Sequence, residues 1–173
     1  MGKKSIRENK NIYQTSREDL ELTRDEASEL MGFVSSDRIE KIENERSLPH
    51  PDEVLEMSKA YKAPHLCNYY CSHECPIGQK FVPEIKEKDL SRIILEMIAT
   101  LNSIEEEKNR LIEIAADGEI TEDEYEDFYR IKSQLSQISL SIDAMQLWVD
   151  KTIAEGRIDK ELLESNKNRQ HKG

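Results

Sequence analysis

The chain has 173 residues, of which 35% are charged and 6% aromatic, with a net charge of -11 and a mean hydropathy of -0.76. It contains no apolar run of about 18 residues, so no membrane-spanning helix is expected. The basic first residues are not followed by the apolar stretch of a secretory leader, so a cytoplasmic protein is expected. Six Gly and five Pro are too few for a turn-rich all-β chain. The acidity argues against a protein that coats nucleic acid non-specifically. It is uneven, however: residues 1–62 carry a net charge of -3, residues 63–88 none and residues 89–173 a net of -8.

In chain order, residues 1–10 hold Lys3, Lys4, Arg7 and Lys10 and read as a flexible basic arm. Residues 11–62 read as a series of short helices. Thr23-Arg24-Asp25-Glu26 is a capping box, Ala27, Leu30 and Met31 follow at helical spacing, and Gly32 stops the helix. Ser35 can cap a second helix whose inner face carries Ile39 and Ile42. Pro51 suits the first turn of another, with Val54, Leu55, Met57, Ser58 and Tyr61 as its inner face.

A capped helix, a glycine turn and a second helix with a polar outer face are the ingredients of a helix-turn-helix. The segment Leu22–Gly32, LTRDEASELMG, resembles the second helix of the phage-repressor, or Cro-like (XRE), regulators, and Val34–Asn44, VSSDRIEKIEN, resembles their recognition helix. Pro51–Tyr61 is similar to the helix that follows. The likeness spans roughly residues 12–66. It implies an all-α helix-turn-helix bundle that binds double-stranded DNA as a homodimer, with Arg24, Ser35, Ser36, Arg38, Lys41 and Arg46 as the contact residues.

The sequence departs from that family in three ways. Phe33 adds a residue to the turn and should lengthen it. Glu21 stands where the family has a glycine. Asp37 and Glu40 put carboxylates on the recognition face, where they repel phosphates unless they accept from a cytosine amino group. The acidic face keeps a second reading open, a protein-interaction adaptor or antitoxin-like module.

Residues 63–88 form a connector that holds all three cysteines, Cys67, Cys71 and Cys75, interleaved with His65 and His73. An odd, clustered set in an intracellular chain argues against structural disulfides. Three readings stay open: small buried side chains, a redox switch, or a zinc or iron–sulfur site on Cys67, Cys71, His73 and Cys75. Otherwise no cofactor is expected. On an unbroken helix, Cys67 and Cys75 would lie about 12 Å apart along the axis, too far for one ion. Pro76 disfavours helix at residue 75 and so allows a break.

Residues 89–156 read as an antiparallel coiled-coil hairpin that serves oligomerisation or receives a signal. One seam runs Leu90, Ile94, Met97, Leu101, Ile104, Lys108, Leu111 and Ala115. The other runs Phe128, Ile131, Leu135, Ile138, Ile142, Met145 and Val149. A glycine stop at Gly118 and a capping box at Thr121–Glu124 separate them. Surplus apolar residues off both seams point to dimerisation through a four-helix bundle, and the acidic surface is a candidate site for a protein partner. Residues 157–173 read as a short helix and a tail. The chain contains no phosphate-binding glycine loop, nucleophile elbow or HExxH, so no enzyme is expected.

Overall fold

A computed structural model describes residues 10–116, 118–161 and 163; the expected arm at residues 1–9 and the tail from residue 164 lie outside the described residues. Among those described, all regular structure is helical. The α-helices are α1 (Ile12–Asp19), α2 (Arg24–Met31), α3 (Ser36–Glu43), α4 (Pro51–Ala60), α5 (His65–Tyr69), α6 (Gly78–Phe81), α7 (Leu90–Ala115) and α8 (Tyr125–Ala154). A π-helical turn, Tyr70–Glu74, follows α5, and a 3-10 turn, Glu122–Glu124, precedes α8. The backbone is helical again at 160, 161 and 163. No helix among the described residues is long and apolar enough to cross a membrane.

The chain divides into two compact units, one reaching Glu84 and taking up the chain again from Val149, the other Ile85–Trp148. In the first, local capping chemistry sets the helix starts. The Asn11 side chain accepts from the Gln14 amide, Thr23 and Glu26 cap each other's backbone, and Ser35 Oγ accepts from the Arg38 amide at 3.2 Å. Pro51 occupies the first turn of α4. The core gathers Tyr13, Ala27, Ile39, Ile42, Met57 and Leu66 from five helices. The inner face of α4 is Val54, Met57 and Ser58, continued by Tyr61; Leu55, expected there, is half exposed because it lies on the flank away from the core. The extra residue between α2 and α3 is accommodated by looping outward: Phe33 is 59% exposed, while Val34 enters the core. Lys10, expected in a free arm, is paired with Glu18 at 2.6 Å.

The helix ends are less ordinary. Gly32 closes α2 at φ 75°, where glycine is at ease. The residues two beyond the ends of α1, α3 and α4 are Glu21, Glu45 and Lys62, with φ 58°, 56° and 51°. Each end carries the paired hydrogen bonds of a Schellman motif, as in Leu22 N–H to the Arg17 carbonyl and Glu21 N–H to that of Glu18. These non-glycine residues therefore sit in the left-handed region because the closing bonds require it.

In the second unit, Asp89 caps α7 by accepting from the Arg92 amide. Polar contacts join α7 to α8 in descending register: Gln134 Nε2 to Ser103 Oγ at 2.7 Å, Arg130 to Glu107 at 2.8 Å and Arg110 to Asp127 at 2.7 Å. The facing rows keep part of the expected seams: Met97, Ile104 and Leu111 of α7 and Ile131, Ile138 and Met145 of α8 are buried or half-buried. Ile93, Thr100, Glu107 and Ile114 of α7 and Ile131, Gln134 and Ser141 of α8 are buried or half-buried, while Leu101, Leu135 and Ile142 are about half exposed. Both helices carry three neighbouring apolar rows, and the polar pairs rotate the helices so that one of those rows faces outward.

A left-handed backbone costs a non-glycine residue about 1 kcal/mol or more. Glu21→Gly should therefore raise stability by up to about 1 kcal/mol, after the added freedom of the unfolded chain is subtracted. A urea midpoint that is unchanged or lower would show that Glu21 is not strained.

Candidate nucleic-acid interface

The surface under test is built around α3. Its inward side is fixed at both ends by charge. At the C-terminal end Glu43, fully buried, accepts from Arg17 Nε at 2.6 Å and Nη2 at 2.9 Å, and from Arg24 Nε at 2.9 Å. Burial works against the Arg17 charge, but the Glu43 carboxylate outweighs it and holds the guanidinium more firmly protonated than usual. At the N-terminal end Arg38 forms a bidentate pair with Glu53, both contacts at 2.7 Å, and also donates to Ser47 Oγ and to the Leu48 carbonyl. Burial pushes the Glu53 carboxyl up; the Arg38 guanidinium and the His50 amide overcome that and keep it below the usual glutamate range.

These ties sort the six expected contact residues. Arg38 is turned inward and engaged by α4 and the loop before it. Arg24 is bound to Glu43 through Nε and keeps about a third of its side chain exposed. Ser35 is the helix cap. Ser36 is half-buried, in the first turn and in the same row as Glu43, and Lys41 is exposed on the outer side. Arg46 is exposed and lies 3.7 Å from Glu40. Asp37 is exposed and Glu40 half-buried on the same side. The outer face of α3 is thus of mixed sign, with Lys41 as its cation on the helix itself.

Sequence reasoning missed the two carboxylates that organise this surface. Glu43 stood inside the Val34–Asn44 segment, and its apolar neighbours Ile39 and Ile42 marked its side of the helix as buried. A buried glutamate demands a cation, though nothing near it in the chain singles out Arg17 or Arg24. Glu53 carried only the ordinary signal of an acid in a first turn.

The connector packs onto the same unit. The Tyr13 hydroxyl donates to Glu74 at 2.8 Å, Tyr13 and Tyr69 meet edge to face, and Cys67, Tyr69 and Tyr70 rest against the core. The π-helical turn ends at Glu74 and Cys75 is extended, as Pro76 requires. Cys75 Sγ accepts from the Gly78 amide at 3.5 Å. His73 stacks on Tyr69, with its Nδ1 against Ser72 Oγ and the Tyr69 carbonyl. All three cysteines are unbridged and half-buried. Burial, then the neighbouring Cys75 and Cys67, pushes the Cys71 thiol up, which disfavours the reactive thiolate. Among the described residues, no three His, Cys, Asp or Glu side chains are grouped so as to hold one metal ion. The structure therefore does not gather Cys67, Cys71, His73 and Cys75 into a ligand set.

Comparison with family models, curated proteins and solved structures finds no match to this chain. The comparisons therefore do not identify the Cro-like family expected from the sequence.

Two predictions follow the geometry. A Cβ on Gly78 would lie 2.0 Å from the Cys71 carbonyl oxygen, where only backbone could give way. Gly78→Ala should cost about 2 kcal/mol or more in chemical denaturation, and a neutral result would mean α6 does not approach the π-helical turn this closely. The second concerns acid. A depressed Glu53 contributes stability that is complete above the ordinary glutamate value of about 4.3 and lost as pH falls through its own lower value. Glu53→Gln should lower stability at pH 7 by about 1–2 kcal/mol and flatten the pH dependence below about 4.3. An unchanged acid profile would count against the pair.

Proposed function

We propose that this chain is a sequence-specific DNA-binding regulator of the cytoplasm that acts as a homodimer, with residues 11–62 as a Cro-like helix-turn-helix and α3 as its recognition helix. The observation that carries the reading is the way α3 is presented. It follows a left-handed Gly32 turn, starts on a Ser35 cap, and is held by Ile39, Ile42 and Glu43 on one side, which leaves Asp37 and Lys41 outward and Ser36 half-buried in the first turn. A helix fixed in this way offers its first turns to a major groove without losing order on binding. In this reading Lys41 and Arg46 meet phosphates, Ser36 meets base edges or phosphate, and Asp37 accepts from a cytosine amino group. Arg24 reaches a phosphate from its Glu43 anchor. Arg38 acts as a positioning residue that sets the angle of α3 against α4.

Asp37 and Glu40 favour a second reading, a protein-interaction adaptor in which these two carboxylates meet a basic partner. Selection from random duplex DNA at about 150 mM salt separates the two, because apparent specificity depends on salt. The regulator should enrich two half-sites related by a two-fold axis and centred about 34 Å apart. Lys41→Ala should weaken binding across sequences and reduce the salt slope by about 1. Folded protein that enriches no site would replace the DNA reading with the adaptor.

A further inference from the structure

Part of the apolar surface that α7 and α8 do not use against each other lies on one flank. The polar pairs between these helices run through Ser103, Glu107 and Arg110 on one and Asp127, Arg130 and Gln134 on the other. At helical spacing these six lie along the contact and toward one flank. In an antiparallel pair, the rows one step round each helix in the opposite sense share the other flank. Those rows are Ile94, Leu101 and Lys108 on α7 and Phe128, Leu135 and Ile142 on α8. Leu101 and Leu135 are each 48% exposed and Ile142 54%.

We infer that this flank of residues 85–148 is the seat of a second copy of the chain, packed face to face as a four-helix bundle. The inference deepens the homodimer part of the reading above and rests on it. Three observations choose a second copy over another occupant. First, on each helix the apolar stripe is centred between the neighbouring helix and the open flank, which is the diagonal of a square bundle of four helices. Second, α7 has 26 residues and is about 39 Å long, and two helices side by side are about 20 Å wide. The flank therefore offers about 800 Å², one partner's share of a standard interface. Third, the unit carries 7 basic and 15 acidic residues, yet neither flank row contains a carboxylate. The one cation, Lys108, is paired with Glu105 of its own helix. A basic partner would seek the carboxylates. A second acidic chain must avoid them, and this flank does.

The full chain without DNA should sediment as a dimer, twice 20.1 kDa. Leu135→Lys should shift it to a single chain with helix content retained by circular dichroism, and Ile142→Ser serves as the second variant if Leu135→Lys does not fold. Leu95→Lys, exposed on the outer side of α7 away from the flank, should leave the dimer intact. A wild-type chain that sediments as a monomer overturns the inference, as does a dimer that both flank variants leave unchanged. The DNA reading fails separately: a dimer that selects no site refutes DNA recognition alone, and a monomer that selects a site refutes this inference and the homodimer part of the reading while leaving DNA recognition standing.

Discussion

The first unit depends on one buried carboxylate. Glu43 has no solvent exposure, and taking a charge out of water costs several kcal/mol unless its lone pairs are filled. They are filled by Arg17 from α1 and Arg24 from α2, while Arg17 also donates to the Leu22 carbonyl between those helices. Three helices therefore share one electrostatic centre. Apolar packing around Ile39 and Ile42 supplies most of the favourable burial, but it is non-directional. The guanidinium fork is directional, and it fixes how α3 stands against α1 and α2.

A second ion pair, Arg38 with Glu53, does the same for α3 and α4. Between them the two pairs decide which charges reach the surface. A count of basic residues in this segment overstates what a DNA backbone could find, because Arg17 and Arg38 are engaged internally and Arg24 partly so. The surface of α3 is left nearly balanced. In the proposed DNA reading, a helix of that kind gains little from non-specific attraction, so affinity would have to come from particular base and phosphate contacts and from joining two such helices in a dimer.

What was legible in the sequence was local. The Thr23–Glu26 box, the Gly32 stop, the Ser35 cap and Pro51 each act within a few residues, and each lies where its chemistry puts it. Pairings across 15, 19 and 26 residues were not legible: Arg38 and Arg24 read as surface cations because nothing nearby in the chain announces Glu53 or Glu43. Nor was the left-handed turn at Glu21, since the familiar signal there, a glycine, is absent while the geometry it would serve is kept. In the second unit the spacing located both long helices but not their rotation. Three adjacent apolar rows allow two seams, and the choice between them falls to Gln134, Ser103, Glu107 and the arginines, whose effect is not periodic.

That choice has an energetic consequence. Ion pairs open to solvent, such as Arg130 with Glu107 and Arg110 with Asp127, are screened by water and contribute little. The facing side mixes Thr100, Glu107, Gln134 and Ser141 with Ile93, Ile104, Ile114, Ile131 and Ile138, so what it buries is only partly apolar. A lone pair of helices arranged in this way is marginal, because ordering 26 and 30 residues is opposed by chain entropy on the same scale. In the dimer inferred above, the outward rows complete the core, and folding of this unit becomes linked to association by mass action. The polar seam then has a role of its own. It is too weak to hold two helices by itself, but it is directional enough to rotate them so that both expose the same row, and a shared exposed row is what a two-fold interface requires.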